Sequence, residues 1–334
     1  MNRFTIAECA TVDAALSQLK DGAVVKAGGV DLLDRMKDGI EQPSRLVNIR
    51  NVTELRGIRA ERDGGVTIGP LTTLAEISES PVFAKEYRIL ADACGHAATP
   101  HIRNMATVGG NLLQRVQCWY YRSSDFQCIR HGKDICFAFE GLNQYHAIME
   151  YATCPSVAPS SAAVALLGLG ATVELTSAKR GKRSVGIREL YVVPDANPTK
   201  FTVIEPDELI TAIHIPAAAP GTRSAYQKYG EKESFDWAIA DAGVVLEMEG
   251  DTCRRAVVTM GAASPIVRRS PQAEAALRGK PITEESARAA GKVAVEGATP
   301  LSQNAYKLDL FPVAVARTIL LAAGKRDRDP SAAG

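Results

Sequence analysis

The apolar positions of the chain fall into short segments with helical or strand-like spacing, separated by glycine, proline and charged residues. Near the N-terminus, Thr11 can cap a helix whose apolar face continues to Leu19. A strand at 23–25, a helix over 30–37 that stops at Gly39, and a strand at 46–49 follow. This order predicts a small βαβ-like unit within residues 1–55.

Two further regions follow along the chain. Residues 56–216 predict a mixed region with strands at 66–68, 171–175 and 209–215 and helices near 74–77, 89–98 and 162–169. After a linker at 217–221, residues 222–325 predict a hairpin of strands 243–248 and 255–260 around Glu249-Gly250-Asp251, and then helices at 273–277, 284–296 and 313–323. We see no internal repeat.

Length and composition fit a multi-unit globular chain. The 334 residues exceed what one hydrophobic core usually holds, and 46% hydrophobic with 23% charged residues excludes a disordered chain. Lys and Arg total 39 against 38 Asp and Glu, so no strong field for nucleic acid is expected. The apolar stretches are shorter than the roughly 20 residues of a membrane span, and the acidic N-terminus predicts no cleavable signal.

Two segments contain paired glycines and are candidates for binding a phosphate group. The first is Lys26-Ala27-Gly28-Gly29-Val30-Asp31-Leu32-Leu33, and the second is Thr107-Val108-Gly109-Gly110-Asn111. Glycine lets backbone N–H groups approach a phosphate and can open a helix towards it. Each segment alone is explained by a plain turn. Two such turns with polar neighbours favour one large phosphate-bearing ligand, although neither matches the Rossmann or P-loop pattern.

Four of the seven cysteines, Cys118, Cys128, Cys136 and Cys154, lie within 37 positions. Four thiolates can close a metal or iron–sulfur site, but the C-x-x-C pairs of most zinc modules are absent. The spacing leaves disulfides and unpaired thiols open, and Pro155 after Cys154 favours iron–sulfur. For His101, His131 and His146 nearby, a surface or hydrogen-bonding role is favoured over ligation. No catalytic triad or carboxylate pair is indicated, which fits a protein whose cofactors carry the chemistry.

Several segments resemble one known family: KAGGVDLL, IRNMATVGGNLLQR, ALLGLGATVEL, DELITAIHIP, YQKYGEKESFDWA and MGAASPIVR. They resemble the FAD-binding medium subunits of molybdenum hydroxylases, such as xanthine dehydrogenases and carbon monoxide dehydrogenase flavoproteins. The resemblance implies an α+β fold, with a two-part FAD-binding domain of the PCMH/vanillyl-alcohol-oxidase-like type and a small α+β C-terminal domain. The parts would be residues 1–55, residues 56–216 with an insert at about 115–156, and residues 222–325.

The resemblance also implies cofactors and their contacts. Lys26 to Leu33 would surround the FAD pyrophosphate, and Thr107, Gly110, Asn111, Ser161, Ile210 and Lys228 would complete the flavin site. The insert is similar to the iron–sulfur loop in flavin subunits of periplasmic aldehyde oxidoreductase and 4-hydroxybenzoyl-CoA reductase. It implies a [4Fe-4S] cluster on Cys118, Cys128, Cys136 and Cys154. Tyr145, where the reductase type has a cysteine, favours the aldehyde oxidoreductase type.

Three positions depart from the family pattern. Val30 replaces a common threonine or serine, Ser161 replaces an aspartate, and Lys232 replaces a frequent arginine. The first removes a hydroxyl that could reach a phosphate, and the second removes an acidic contact to the flavin. These departures concern flavin affinity and redox tuning more than the fold.

The implied function is electron transfer. A large molybdopterin subunit would oxidise an aldehyde, or hydroxylate a heteroaromatic carbon, and a small [2Fe-2S] subunit would pass the electrons to FAD and on to an external acceptor. The flavin subunit of a 4-hydroxybenzoyl-CoA reductase-like or heteroaromatic hydroxylase complex is the alternative. Competing hypotheses are a metal-stapled scaffold and a stand-alone flavin oxidase. The expected compartment is the cytoplasm, or the periplasm by co-export with a signal-bearing partner.

Overall fold

A small parallel sheet opens the computed structural model of the chain, which describes residues 2–232 and 235–327. Its elements are β1 (Thr5–Glu8), α1 (Val12–Gln18), β2 (Ala23–Lys26), α2 (Val30–Lys37) and β3 (Arg45–Asn48). The strand order is β1-β3-β2, and both outer strands run parallel to β3. The bounds of α2 agree with the predicted helix. Strand β1 was not predicted, since its four residues are mostly exposed and carry no apolar alternation.

The second unit packs six helices around an antiparallel sheet of order β4-β5-β8-β6-β7. Its elements are β4 (Ile58–Ala60), β5 (Val66–Ile68), α3 (Leu74–Ser78), α4 (Pro81–Glu86), α5 (Arg88–Gly95), α6 (Pro100–Arg103), α7 (Val108–Leu113), α8 (Ser161–Gly168), β6 (Thr172–Ser177), β7 (Gly181–Gly186) and β8 (Glu208–Ile215). Helix α8 is alanine-rich because it is buried on almost every side, against α5, α7 and strands of the next unit.

The C-terminal unit is a second antiparallel sheet covered by helices. Its elements are β9 (Thr222–Tyr229), β10 (Ala240–Glu249), β11 (Thr252–Gly261), β12 (Arg268–Arg269), α9 (Pro271–Leu277), β13 (Lys280–Pro281), α10 (Glu284–Val293) and α11 (Lys307–Ala322). The order is β12-β11-β10-β9, with β13 also paired to β11. The predicted hairpin turn is present at Gly250, which has a φ of +60°. No helix in the described part of the chain is long and apolar enough to cross a bilayer.

Two helices differ from the sequence prediction: one begins earlier, and the other was not predicted. Helix α11 was expected after Pro312 but begins at Lys307, with the proline inside it. Helix α10 packs closely at this point, since a Cβ on Gly291 would lie 2.2 Å from the carbonyl oxygen of Pro312. The second glycine pair, expected as a turn, lies inside α7, whose N-cap is Thr107.

The cysteine-containing insert, residues 114–160, is irregular except for a 3-10 turn at Ile129–His131. Its interior is aromatic: the Tyr120 ring lies 4.9 Å from Phe126 and 5.9 Å from Phe137, between centroids. The insert is anchored to the C-terminal unit, where the Asn304 side chain donates to the carbonyl groups of His146 and Ala147. Its shape therefore depends on contacts to its neighbours rather than on its own backbone ladder.

Candidate functional site

A cleft of about 470 Å³ is lined by residues from all three units. The N-terminal unit contributes 23–32 and Arg35, the second unit contributes segments around 106–115, 157–161 and 206–210, and the C-terminal unit contributes Tyr226, Lys228 and Asp241. A cleft of this size at a junction of domains is where proteins commonly place a ligand.

The first glycine pair lies against residues 105–106, directly before the second glycine-containing segment. A Cβ on Gly28 would lie 2.0 Å from the carbonyl oxygen of Met105, so only glycine fits between the segments. Gly29 has a φ of +82° and is the N-cap of α2, with no side chain capping the helix. The first N–H groups of α2 are therefore available to a ligand, and the helix dipole favours an anion there.

The polar side chains of the second segment form hydrogen bonds with other groups of the protein. The Thr107 hydroxyl accepts a hydrogen bond from the N–H of Gly110 at 3.1 Å and so caps α7. Asn111 Oδ1 accepts a hydrogen bond from the Ser160 hydroxyl at 2.7 Å, which leaves its amide nitrogen as the group that can reach a ligand. This segment shapes one wall of the cleft.

Two lysines line the cleft and differ in how strongly their ammonium groups are already hydrogen-bonded. Among the described residues, Lys26 Nζ has long contacts of 3.4 Å, to the Ala27 carbonyl and to Asn48 Oδ1. Lys228 Nζ donates to the carbonyl groups of His96 at 2.6 Å and Asp236 at 3.0 Å, and burial lowers its pKa. Lys26 is thus the more available cation for a phosphate.

Asp31 holds the start of the insert against α2. Its carboxylate pairs with Arg35 at 3.0 Å and with Arg122, and it accepts the N–H of Arg115 at 3.1 Å. Burial alone would raise the pKa of Asp31, but Arg122, Arg35 and the Arg115 N–H lower it below its ordinary value. The Asp31 carboxylate is therefore committed to an ion-pair network.

The structure brings together almost all the predicted cofactor-binding residues. Those lining the cleft are Lys26, Ala27, Gly28, Gly29, Val30, Asp31, Leu32, Thr107, Gly110, Asn111, Ser161, Ile210 and Lys228. Leu33 does not line it, since its side chain packs against the small cluster of Leu32, Met36 and Leu46. The set as ligand contacts stays a prediction.

Tyr226 and Asp241 also line the cleft and were not predicted from the sequence. The Tyr226 hydroxyl donates to Asp241 Oδ2 at 2.8 Å and also hydrogen-bonds Ser161. Asp241 Oδ1 is buried without a partner among the described residues, and burial raises the pKa of Asp241 to about 6. An acidic group thus reaches the Ser161 wall of the cleft from β10, although position 161 itself carries none.

The four clustered cysteines line a separate small cavity. Cys118, Cys128, Cys136 and Cys154 face it together with aromatic residues of the insert and Arg130, and all four are free thiols. Cys118 Sγ lies 3.2 Å from His146 Nε2, and Cys154 Sγ lies 3.3 Å from Ser156 Oγ. Four thiols converging on one space match the donor set of an iron–sulfur cluster or a structural zinc.

The charge state of these groups depends on burial. Burial raises the pKa of the Cys118 thiol to about 12, whereas hydrogen bonding with Cys136 and Ser156 lowers the pKa of the Cys154 thiol. Burial and the charge of Lys307 lower the pKa of His146 to about 4. In the part of the chain that the structure describes, no three His, Cys, Asp or Glu side chains form a site for a single metal ion.

Comparisons with known proteins agree with this architecture. Residues 2–218 match the family described as the FAD binding domain in molybdopterin dehydrogenase, and residues 224–322 match the CO dehydrogenase flavoprotein C-terminal domain. The chain is 31% identical over 313 residues to the aldehyde oxidoreductase FAD-binding subunit PaoB of Escherichia coli strain K12, covering 92% of this chain and 94% of that protein.

Other relatives lead to the same family. The chain is 28% identical to the carbon monoxide dehydrogenase medium chain of Hydrogenophaga pseudoflava, over 84% of this chain and 81% of that one. A solved structure of that organism's carbon monoxide dehydrogenase superposes with a TM-score of 0.75 at 28% identity, covering 98% and 99% of the two chains. Quinoline 2-oxidoreductase from Pseudomonas putida 86 gives 0.75 at 26% identity, covering 97% and 98%. The predicted fold is confirmed, and the chain belongs to the FAD-binding medium subunits of the molybdenum hydroxylase family of oxidoreductases.

Proposed function

We propose that this chain is the FAD- and [4Fe-4S]-containing electron-transfer subunit of a molybdenum hydroxylase complex that oxidises aldehydes. The observation that carries the proposal is the arrangement of two sites in one chain. A cleft with paired glycines and a free helix N-terminus lies beside a cavity faced by four free thiols. Asp31 connects the two, because it holds the insert's first residues against the helix that opens the cleft.

The residues of the cleft suit FAD. The uncapped N–H groups of α2 and the Lys26 ammonium would bind the pyrophosphate, and Gly28 lets the two segments approach it together. Ser161, Ile210 and Lys228 also line the cleft and would contact other parts of the cofactor. Bound FAD would supply a carrier that exchanges electrons with both one-electron centres and an external acceptor.

The tetrathiol cavity suits a [4Fe-4S] cluster. Cys118, Cys128, Cys136 and Cys154 would be its ligands, and Tyr120 and Phe137 would keep water from the site. A bound cluster would supply a one-electron centre near the flavin. A non-catalytic scaffold held together by a metal would not explain the large cleft beside the thiols.

The expected partners are inferred from the similar proteins, which are subunits of larger enzymes. The similar proteins are a FAD-binding subunit of an aldehyde oxidoreductase and medium chains of carbon monoxide dehydrogenases. We infer a large molybdopterin-containing subunit as the electron source, a small [2Fe-2S] subunit between them, and an external acceptor. Aldehydes are favoured as substrates because PaoB matches over most of both chains.

Cofactor analysis of the anaerobically purified complex tests this proposal. We expect one FAD and roughly four iron atoms with acid-labile sulfide for each copy of this chain. Cys128→Ser should lower the iron content while FAD remains, and Cys253→Ser, at a buried cysteine outside the cavity, should leave both unchanged. Zinc without labile sulfide would contradict the cluster assignment. Absence of FAD would contradict the flavin assignment.

A further inference from the structure

The cavity of the four cysteines contains one buried cation, Arg130. It lies in the 3-10 turn two residues after Cys128, is 5% exposed, and faces the cavity beside the thiols. None of residues 2–232 or 235–327 provides a carboxylate that forms a salt bridge with it. The Arg130 guanidinium is thus a buried charge without a conventional counter-ion.

The guanidinium is held in place by neutral contacts. Arg130 Nη1 donates to the carbonyl of Pro198 at 2.9 Å, and its central carbon lies 3.8 Å from the centroid of the Phe201 ring. Nε is buried and has no partner among the described residues. These contacts keep the charge beside the cavity without neutralising it.

Burying a cation without a counter-ion costs free energy of folding, so a buried arginine indicates a negative charge nearby. The side chains of Cys118, Cys128, Cys136 and Cys154 face the same cavity as Arg130. Neutral thiols carry no charge, whereas thiolates that bind a cluster do. The position of Arg130 is accounted for when the four cysteines act together as anionic ligands.

We propose that Arg130 supplies the counter-charge of the [4Fe-4S] cluster and raises its reduction potential. The inference rests on the proposed function, because it requires the cluster. Reduction adds one electron to a group that is already negative, and a fixed cation in a low-dielectric surrounding stabilises the more negative form. Arg130 binds no iron in this scheme and acts through its charge.

The test compares cluster potentials in the intact complex. Arg130→Met removes the charge but keeps a long apolar side chain, Arg130→Lys keeps the charge, and Lys133→Met removes an exposed cation from the same loop. The potential is measured by a redox titration that follows the paramagnetic signal of the reduced cluster. Iron and FAD contents are determined on the same samples.

We expect Arg130→Met to lower the equilibrium constant for reduction at least tenfold, which is about 59 mV for a one-electron couple. Arg130→Lys should stay within roughly threefold of the parent, and Lys133→Met should be unchanged because water screens its charge. Loss of iron in Arg130→Met but not in Arg130→Lys, with FAD retained in both, would also support a counter-charge.

Two results would overturn the assignment. An unchanged potential in an Arg130→Met complex with full iron content would show that the charge does not act on the cluster. Equal loss of iron in Arg130→Met and Arg130→Lys would show that guanidinium shape, not charge, is required. An unsubstituted complex that contains FAD but no iron would instead refute the proposed cluster, and with it the role of Arg130.

Discussion

Adding one methyl group at Gly28 tests whether the two glycine-containing segments form a single binding surface. In Gly28→Ala the new Cβ would lie 2.0 Å from the carbonyl oxygen of Met105. Ordinary van der Waals contact begins near 3.4 Å, so the segments would have to separate by about 1.4 Å. Gly28 is outside the left-handed region of φ, so the effect comes from the collision and not from backbone strain.

Overpacking of this kind costs about 1–3 kcal/mol. If that cost falls on the bound state, the dissociation constant for FAD rises about 5- to 150-fold. We would measure it by adding FAD to the flavin-depleted complex and following the quenching of flavin fluorescence. A melting curve of the same sample separates loss of binding from loss of folding.

Gly95→Ala is the matched control. Gly95 is also outside the left-handed region, but its Cβ would meet only the Cβ of Ser78, at an ordinary 3.5 Å. We expect unchanged FAD affinity, with a stability gain of up to about 1 kcal/mol from replacing a helical glycine. Unchanged affinity in Gly28→Ala as well would refute the reasoning, because the contact between the segments would then be irrelevant to FAD.

Three further changes test separate parts of the structure by thermal and chemical unfolding. Lys307→Met removes the donor to three carbonyl groups and should lower the free energy of unfolding by about 3 kcal/mol. Burial lowers the pKa of Lys307 from 10.5 to about 7, so the unfolded chain binds more protons than the folded chain between pH 7 and pH 10.5. The contribution of Lys307 to the free energy of unfolding should therefore rise with pH in this range. Lys307→Met should lack this rise. Asp31→Asn should lower the free energy of unfolding by about 2 kcal/mol, a moderate value because the carboxylate is partly exposed. In the parent protein, the contribution of Asp31 to stability is present above pH 3.8 and is lost as the pH falls through the lower pKa of the folded state; Asp31→Asn should lack this pH dependence. Thr107→Ala should cost about 1 kcal/mol through loss of the α7 cap, whereas Thr107→Ser should retain most of the stability.

Local patterns predicted the elements whose sequence signals agree with their final packing. The strand–glycine–helix order around Gly29 and the hairpin around Gly250 both have the expected form. Helix α11 was mispredicted at its start, because Pro312 is a strong local stop signal that packing against α10 overrides. Family resemblance, rather than periodicity, supplied the overall fold.

The candidate site was predictable where short motifs build it and unpredictable where distant strands meet. Asp241 lies in the first half of β10, where the following residues to Leu246 are apolar or glycine and do not indicate a polar cavity. Only the pairing of β9 with β10, which sets Lys228 beside Asp241, places that carboxylate in the cleft. Arg130 was missed for a similar reason, since its burial depends on Phe201, 71 positions later.

The anchoring of the insert has a consequence for the order of biosynthesis. Residues 114–160 take their shape from Asp31 on one side and from Asn304 and Lys307 on the other. Asn304 and Lys307 follow Cys154 by 150 and 153 positions, so the insert can take its anchored shape only after residue 307 has been synthesised. If the four thiols bind the proposed cluster, its insertion is therefore expected to follow the synthesis of residue 307, and exposure to oxygen before that point should lower the yield of the assembled site.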